Sequence, residues 1–296
     1  MKIRVEKLRD GKHPKTMETF HFSCSVHSPQ VERFSAKIFT TEYPAHAHDG
    51  YVVGVVHHGV QEFLCKSGTH YAKAGSLIFL NPNEIHSAKA AYSSGVAYQT
   101  LQIPPLMIEK VCGANFRFKQ SMIFAMPLAR QLAKMLSQLD AAQGANCWLD
   151  KLAEIIDLIL KVQFHLTEQL HRKYDERLSH LLKYIEANVT SRISLKTLAY
   201  QSNISPQHVI RCFKSALGVT PQDYIQARRV ALAKRMLQDH DSSEVAALTG
   251  FTDQSHLTRW LKACYGVTPS LYRKKLQNGE LVNLRSHGID ELLGFS

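Results

Sequence analysis

Residues 246–273 read AALTGFTDQSHLTRWLKACYGVTPSLYR, and they set the architecture of the C-terminal third of the chain. Ser243 precedes a short helical segment that Gly250 ends, and a second helix is predicted over Gln254–Tyr265. A helix-turn-helix needs a small residue where its helices cross and a residue tolerant of positive φ at the turn. Ala246 and Gly250, four residues apart, meet these two needs, so we predict a helix-turn-helix unit here.

A second copy of this pattern lies 48 residues earlier in the chain. Residues 205–224 read SPQHVIRCFKSALGVTPQDY, and eight of these positions carry the same residue at 253–272, including the whole run Gly-Val-Thr-Pro. A match at a fixed offset indicates an internal repeat. Ala199 and Asn203 take the crossing and turn positions of this copy, because Asn is the next most tolerant residue of positive φ. The sequence therefore predicts a duplicated helix-turn-helix.

The repeated pattern also resembles a family signature. Written as A-x-x-x-G-F-x-D-x-S-H-x-x-R-x-x-K-x-x-x-G-V-T-P-x-x-Y-R, residues 246–273 resemble the DNA-binding domain of the AraC/XylS family of bacterial transcription regulators. That domain has two helix-turn-helix units joined by one helix, and residues 222–237 are predicted to be that helix. The resemblance implies a DNA-binding domain over residues 174–280 and a C-terminal tail over 281–296. The family usually has Phe where this chain has Leu261, which is expected to affect packing and not function.

Recognition helices present their N-terminal and outward residues to base edges in the major groove. Arg suits guanine, Gln suits adenine, and Ile can contact a thymine methyl. The residues predicted to read bases are Gln207, Ile210, Arg211, Gln254, Ser255 and Arg259. The residues expected near the DNA backbone, or else on a solvated or helix-supporting face, are His208, Lys214, Arg228, His256, Lys262 and Arg273. The expected partner is double-stranded promoter DNA with two short boxes about one helical turn, ~34 Å, apart.

The distribution of charge agrees with a DNA partner. The chain of 296 residues has 36 Lys and Arg against 25 Asp and Glu, a net charge of +11. Residues 177–276 hold 15 basic and 6 acidic residues, so nine of these surplus charges lie in the repeated region. A basic surplus indicates an anionic partner, and this location favours DNA over a membrane. Residues 1–12 lack the apolar core of a signal peptide, and no apolar run reaches the roughly 18 residues of a membrane span, so a cytoplasmic protein is expected.

The N-terminal half has the pattern of a β structure. Between residues 18 and 103, short runs rich in Val, Phe, Tyr and Thr alternate with turn signals such as Asp49-Gly50 and Asn81-Pro82. This pattern predicts an antiparallel sandwich or small barrel. Apolar residues make up 45% of the chain and charged residues 21%, which excludes a disordered or fibrous protein. Six cysteines without a C-x-x-C pair exclude a zinc ribbon and a small disulfide scaffold.

Histidines concentrate in this half of the chain. The sequence PAHAH at residues 44–48 puts His46 and His48 on one strand face, because residues i and i+2 point the same way. His86 follows a predicted strand over residues 75–82. These motifs resemble H-x-H and G-x(n)-P-x-x-x-H of the cupin barrel, where the histidines face the lumen. The resemblance implies a cupin-like domain that binds an effector.

We place this cupin-like domain at residues 1–173. In metal-binding cupins a Glu four or five residues beyond the second His completes the site, and Val52 and Val53 occupy those positions here. Three neutral imidazoles could still bind zinc or iron, but the favoured interpretation has no metal and no other cofactor. The residues predicted to bind a small-molecule effector are His46, His48, Tyr51 and His86.

A long amphipathic helix is predicted between the two domains, over residues 148–171. Its apolar residues recur at alternating steps of three and four, which is the spacing of a coiled-coil seam. The seam positions assigned to dimerisation are Leu149, Leu152, Ile156, Ile159, Gln163 and Leu166. The apolar stripe is wider than a strict seam, so two interpretations stay open. The helix either packs on the barrel or pairs with a second copy in a homodimer.

The sequence thus predicts a multidomain α and β protein: an N-terminal cupin-like β-barrel with a helical appendage and a C-terminal all-α double helix-turn-helix domain. The expected function is a sequence-specific transcription regulator controlled by a small-molecule effector. The resemblance favours an activator, which would contact RNA polymerase. Two alternatives stay open, a metal-dependent cupin enzyme fused to a DNA-targeting domain and a regulator without an effector. No enzyme is expected, since the chain lacks G-x-S-x-G, G-x-x-x-x-G-K-S/T and G-x-G-x-x-G.

Overall fold

A computed structural model of the chain describes residues 18–25, 27–112, 116–165, 176–278 and 282–283. The strands are β1 (Thr19–Cys24), β2 (Glu32–Ile38), β3 (Glu42–His46), β4 (Tyr51–Cys65), β5 (Gly68–Lys73), β6 (Ser76–Leu80), β7 (His86–Ala90), β8 (Val96–Ile103), β9 (Met122–Phe124) and β10 (Val282–Asn283). The helices are α1 (Pro105–Cys112), α2 (Met126–Ala141), α3 (Ala145–His165), α4 (Glu176–Asn188), α5 (Leu195–Ser202), α6 (Pro206–Leu217), α7 (Pro221–Met236), α8 (Ser242–Leu248), α9 (Gln254–Tyr265) and α10 (Pro269–Asn278). The predicted fold class, a β-barrel domain followed by an all-α domain, is confirmed. Across these ranges, no helix combines the length and apolar character that a membrane crossing requires.

The long strand β4 organises the barrel. Its first half pairs with β6 and β8, and its second half pairs with β5 and β7. The strand passes between the two sheets at Gly59, whose φ of 72° lies in the left-handed region. A Cβ at this position would stand 1.9 Å from the carbonyl oxygen of Gly95. The bend that closes the barrel therefore requires glycine.

The two faces of β4 serve two different apolar layers. Successive strand residues point to opposite faces, so Val52 and Val56 join the core inside the barrel. Tyr51, Val53 and Val55 join a separate cluster that α1, α2 and α3 cover from outside. Helices α1–α3 thus pack on the outer wall of the barrel, and they do not line its interior.

Helix α3 carries the predicted seam, and most of that seam is core within one chain. The seam positions buried in this way are Leu152, Ile156, Ile159 and Gln163. Gln163 Oε1 also accepts a hydrogen bond from the backbone N–H of Lys119 at 3.1 Å. Leu149 is 48% exposed, and Leu166 lies outside the described residues. The structure therefore favours packing on the barrel over pairing with a second copy, because these side chains are already covered.

The C-terminal helices form two helix-turn-helix units, α5–α6 and α8–α9, joined by α7. Asn203 with φ of 52° and Gly250 with φ of 78° adopt left-handed conformations at the two turns, as predicted. Gly218 and Gly266 do the same at the ends of α6 and α9, where each N–H donates to a carbonyl one turn earlier. The repeat seen in the sequence is thus a repeat of backbone conformation.

The helical domain packs against the barrel through two continuous apolar clusters. One runs from Phe22 inside the barrel to Leu257 in α9 of the second helix-turn-helix unit and to Tyr272 in α10. The other joins Ala47, after β3, to Phe213 in α6 of the first unit. Both units therefore rest on the same end of the barrel.

The segment predicted as a C-terminal tail returns to the barrel. Val282 and Asn283 form β10, which pairs antiparallel with Phe22 and His21 of β1. The barrel sheet therefore contains residues from both ends of the chain.

Candidate functional site

A cavity lies inside the barrel, at the end covered by the helical domain. Its wall comes from strands β1–β4 and β6–β8, and Cys264 and Tyr265 at the end of α9 close it. Most of the lining is apolar or aromatic. The polar lining residues are Glu32, Arg33, His46, His48, Gln61, His86, Thr100 and Gln102. A largely apolar cavity with a few convergent polar groups is typical of a small-molecule site.

Three histidines meet in this cavity. His46 ends β3 and stands opposite His86, the first residue of β7, while His48 follows two residues after β3. The ring centroids of His46 and His86 are 4.2 Å apart, and that of His48 lies 5.1 Å from each. One ring nitrogen of each residue lies within 4.8 Å of those of the other two. These residues, named the histidine cluster, are three of the four residues predicted to bind the effector.

Hydrogen bonds fix the orientation of all three rings. Nδ1 of His46 lies 2.7 Å from the carbonyl oxygen of Pro44, and Nδ1 of His86 lies 3.1 Å from that of Glu84. Nδ1 of His48 lies 2.9 Å from Oε1 of Gln102. These oxygens can only accept, so each Nδ1 donates its proton. In a neutral ring Nε2 then carries a lone pair.

The histidine cluster is neutral at pH 7. Burial, reinforced by the neighbouring imidazoles, holds the pKa of His46 and His48 well below the usual 6.5. Burial lowers the pKa of His86 to about 4, against a smaller opposing effect of its bond to Glu84. Neutral imidazole is the form that accepts hydrogen bonds or binds metals.

Tyr51, the fourth predicted effector residue, does not face the cavity, and that prediction is wrong. Its ring packs among Phe116 and Phe118 on the outer wall, and its hydroxyl donates to the carbonyl oxygen of Phe116 at 2.6 Å. Val52 lines the cavity instead. The reason is the alternation of β4, which sends Tyr51 and Val52 to opposite faces.

Several cavity residues were not predicted from the sequence. Gln61 is 5% exposed, and its Oε1 has no hydrogen-bond partner among the described residues. Alternation along β4 would have sent Gln61 to the face opposite Val52, because the two residues are an odd number of positions apart. An irregularity of β4 between Val56 and His58 reverses the alternation and turns Gln61 to the cavity, and no sequence pattern signals it. Tyr265 packs its ring edge-on against His46 and His48, and its hydroxyl donates to the carbonyl oxygen of Ala47. No sequence signal places Tyr265 here, since it belongs to the other domain.

A second candidate surface consists of the N-terminal halves of α6 and α9. Five of the six predicted base-reading residues are exposed there, namely Gln207, Arg211, Gln254, Ser255 and Arg259. Ile210 is half-buried. The residues predicted to face inward are buried, and they are Val209, Phe213, Leu257 and Leu261. Each helix therefore has one apolar side in the domain core and one polar side open to a partner.

The residues predicted to lie near the DNA backbone occupy varied positions. Lys214 is exposed, and His208, Lys262 and Arg273 are half-buried. In His256, Nε2 accepts from Trp260 Nε1 at 3.0 Å and Nδ1 lies 2.7 Å from Thr252 Oγ1. Both ring nitrogens of His256 thus form hydrogen bonds inside the second helix-turn-helix unit. This arrangement favours a role in supporting helix α9 over a contact with the DNA backbone.

Arg228 is not available to a phosphate in this arrangement. Its guanidinium donates to Glu186 Oε2 and to Asn83 Oδ1, both at 2.7 Å. It therefore joins α7 to α4 and to a barrel loop.

Two family models match the chain. One described as an AraC-like ligand binding domain matches residues 28–202, more than half of the chain, and one described as a helix-turn-helix domain matches residues 198–275. The first match covers the barrel and its helices and continues through α4 and α5, and the second extends from α5 into α10.

Curated relatives match across most of their length. The chain is 26% identical over 238 residues to the uncharacterized HTH-type transcriptional regulator YbfI of Bacillus subtilis, covering 77% of this chain and 86% of YbfI. It is 22% identical over 274 residues to the HTH-type transcriptional activator RhaS of Enterobacter sp., covering 87% and 96%. The crystal structure of ToxT from Vibrio cholerae aligns with a TM-score of 0.48 at 11% identity, covering 88% of this chain and 98% of ToxT.

Proposed function

This chain belongs to the AraC/XylS family of transcription regulators, and from that premise we propose that an effector in its barrel controls how its two recognition helices engage promoter DNA. The protein is a DNA-binding transcription regulator with a ligand-binding N-terminal domain. The relatives that it matches are transcription regulators. The domain limits that we assign are 1–173 for the barrel and its helices, 174–280 for the DNA-binding domain and 281–296 for the tail.

One observation carries the proposal: helix α9 takes part in both candidate sites. Its N-terminal half carries the exposed Gln254, Ser255 and Arg259, and its C-terminal end puts Cys264 and Tyr265 into the barrel cavity. An effector that fills the cavity must contact or displace this end of the helix. Because the two ends belong to one rigid helix, a change at Tyr265 is transmitted to the DNA-reading face. If the effector binds one arrangement of the two domains more tightly than another, it shifts the protein toward that arrangement and so changes its affinity for DNA.

The DNA contacts follow from the exposed faces. Two recognition helices from one chain enter successive major grooves, about one helical turn apart. Gln207, Ile210 and Arg211 read one box, and Gln254, Ser255 and Arg259 read the other. Lys214, Lys262 and Arg273 contact the DNA backbone, with His208 beside them. Since the two helices differ in sequence, the site is asymmetric.

The effector is a small molecule that matches the cavity chemistry. His46, His48 and His86 supply acceptor nitrogens, and the unpartnered Oε1 of Gln61 accepts a further hydrogen bond. Apolar and aromatic walls require that most of the molecule be apolar. RhaS relatives carry the name of activators, and we propose activation, with RNA polymerase as the further partner.

The DNA part is tested by selecting bound duplexes from a random pool with the purified full chain. We expect an asymmetric sequence with two short boxes about 10 bp apart. A single box, or two identical boxes in a palindrome, would contradict reading by both α6 and α9 of one chain.

The effector part is tested separately by thermal unfolding with a panel of small, largely apolar molecules that carry hydrogen-bond donors, such as alcohols, amides and amines. We expect one chemical class to raise the Tm of the wild type and to leave unchanged that of Ala88→Phe, which narrows the cavity that Ala88 lines. If no class acts and DNA affinity is the same in all conditions, the alternative is favoured, a regulator controlled by its abundance.

A further inference from the structure

We infer that the histidine cluster is a binding site for one divalent transition-metal ion of the zinc class, held by Nε2 of His46, His48 and His86. This does not depend on how DNA is read, and it changes one part of the proposed function: with the ion bound, the three Nε2 lone pairs are used, so an effector in the cavity would contact the ion and Gln61 instead of the imidazoles. Imidazole nitrogen is a preferred ligand of zinc and of neighbouring transition metals.

The first support is the convergence of three acceptors. Each Nδ1 is committed to an outer oxygen, namely Pro44 O, Gln102 Oε1 or Glu84 O. Each Nε2 therefore presents a lone pair, and the ligand nitrogens of the three rings lie within 4.8 Å of one another. Three lone pairs held so close together are unfavourable unless a cation or a hydrogen-bond donor lies between them. The phenol of Tyr265 is not that donor, because its hydroxyl is bonded to Ala47 O.

The second support is the outer layer of hydrogen bonds. Histidines that bind metals almost always donate their other N–H to a carbonyl or carboxylate, which fixes the ring. All three rings of the cluster have such an acceptor. The amide of Gln102 is itself fixed, because its Nε2 donates to Asp49 Oδ1 at 2.8 Å. The cluster thus has an ordered second layer around the three rings.

The charges near the cluster partly offset one another. Lys234 acts against a positive charge at His46 and His48, but its Nζ is paired with Glu32 Oε2. Asp49, which accepts from Gln102 Nε2, is a second carboxylate close to the cluster. Within the part of the chain that the structure describes, three residues supply ligand atoms to this group, and Val52 adds an apolar wall to the same cavity. Three ligands leave a coordination position open for water or for a small molecule in the cavity.

The test measures metal on the full chain, purified, stripped with a chelator and reloaded with Zn²⁺ or Co²⁺. We expect one equivalent of zinc per chain by elemental analysis and a visible absorption band with Co²⁺. We expect His46→Gln and His86→Gln to lose the equivalent of metal, and the exposed control His58→Gln to keep it. An intense near-ultraviolet sulfur-to-cobalt band would overturn the site, because it would place a cysteine among the ligands.

A second pair of variants keeps the test valid if a histidine variant fails to fold. Gln102→Ala leaves all three imidazoles in place and removes the acceptor that holds His48, so zinc affinity should fall about 10-fold to 100-fold. Gln99→Ala is the matched control on the same strand and should leave the affinity unchanged. Clearly less than one equivalent of zinc in the wild type, or equal zinc affinity in Gln102→Ala and wild type, would overturn the inference.

Discussion

Lys234 Nζ lies 2.5 Å from Glu32 Oε2, and this ion pair joins the two domains from inside the protein. The two side chains are 4% and 7% exposed. Tyr272 donates a further hydrogen bond to Glu32 Oε1 at 3.1 Å. The ammonium also lies 4.6 Å from the ring centroid of Tyr265 and 5.3 Å from that of Tyr272. A charge so enclosed is stable only while every partner is present.

Glu32→Gln should therefore lower the free energy of unfolding by about 3–5 kcal/mol, because it leaves the Lys234 charge buried without its counter-ion. Urea unfolding of the purified chain measures this change. The matched control is Asp157→Asn, which breaks the exposed pair of Asp157 and Lys161 and should cost about 0–1 kcal/mol. Equal losses in the two variants would show that the domains are not packed around Glu32.

Arg259→Ala should weaken binding to the selected duplex by about 1–3 kcal/mol and relax the preference at one base pair. The reason is that an exposed guanidinium on a recognition helix can bind a guanine edge with two hydrogen bonds. Arg211→Ala should have the same effect on the other box. Competition assays with single-base variants of the duplex make the comparison. A uniform loss over all duplexes would identify Arg259 as a backbone contact instead.

Gly218→Ala and Gly266→Ala form a matched pair at the ends of α6 and α9. Both glycines have positive φ, 74° and 70°, so each alanine should cost about 1 kcal/mol in strain. A Cβ at Gly218 would also meet the Leu64 side chain of β4 at 2.8 Å, whereas the closest atom to a Cβ at Gly266 is 3.5 Å away. Gly218→Ala should thus cost more by about 1–3 kcal/mol.

A double-mutant cycle tests the origin of that difference. Adding Leu64→Ala to Gly218→Ala should recover part of the loss, because the two side chains meet across the domain boundary. If Gly218→Ala and Gly266→Ala are equally destabilised, α6 does not contact β4 at this point.

Glu18 gives an expected dependence on pH. Its Oε1 accepts the backbone N–H groups of Phe39, Thr40 and Thr41 at 2.7, 2.7 and 3.0 Å. Burial acts to raise the pKa of Glu18, but these bonds together outweigh it and hold the pKa below the usual 4.5. A carboxyl group with a lowered folded-state pKa stabilises the fold above its unfolded-state pKa. That stabilisation is lost as the pH falls through 4.5 and below.

Glu18→Gln should therefore be less stable than the wild type by about 1–2 kcal/mol at pH 7. The difference should shrink as the pH falls below 4.5, where the wild-type carboxyl takes up a proton. Urea unfolding of both proteins at several pH values measures it. A difference that stays constant down to pH 3 would mean that Glu18 acts by packing alone.

Local patterns of sequence predicted much of this fold. The turn positions of Asn203 and Gly250 follow from the positive φ that a tight turn requires. The inward positions of Val209 and Leu257 follow from the spacing of apolar residues along a helix. These features depend on residues within one turn or helix of each other. The histidine motifs were likewise sufficient to place His46, His48 and His86 in one cavity.

Two features depended on information that no local pattern holds. The alternation of β4 gives two faces but does not say which face is inside the barrel, so Tyr51 was placed on the wrong side. The apolar stripe of α3 fits a partner helix as well as it fits the barrel wall. The burial of Leu152 and Ile156 within one chain favours the barrel wall, and a single helical pattern holds no such information.

The position of Tyr265 over the histidine cluster has a consequence for the order in which the protein is made. Its partner Ala47 leaves the ribosome 218 residues earlier. At the usual rates of translation this gap lasts roughly 10–45 s, during which the barrel exists without the helix that closes its cavity. In a nascent chain, or in any fragment that stops before residue 264, the barrel cavity therefore lacks the wall that Cys264 and Tyr265 supply. A small molecule could then reach His46 and His48 from the side that Tyr265 covers in the complete protein.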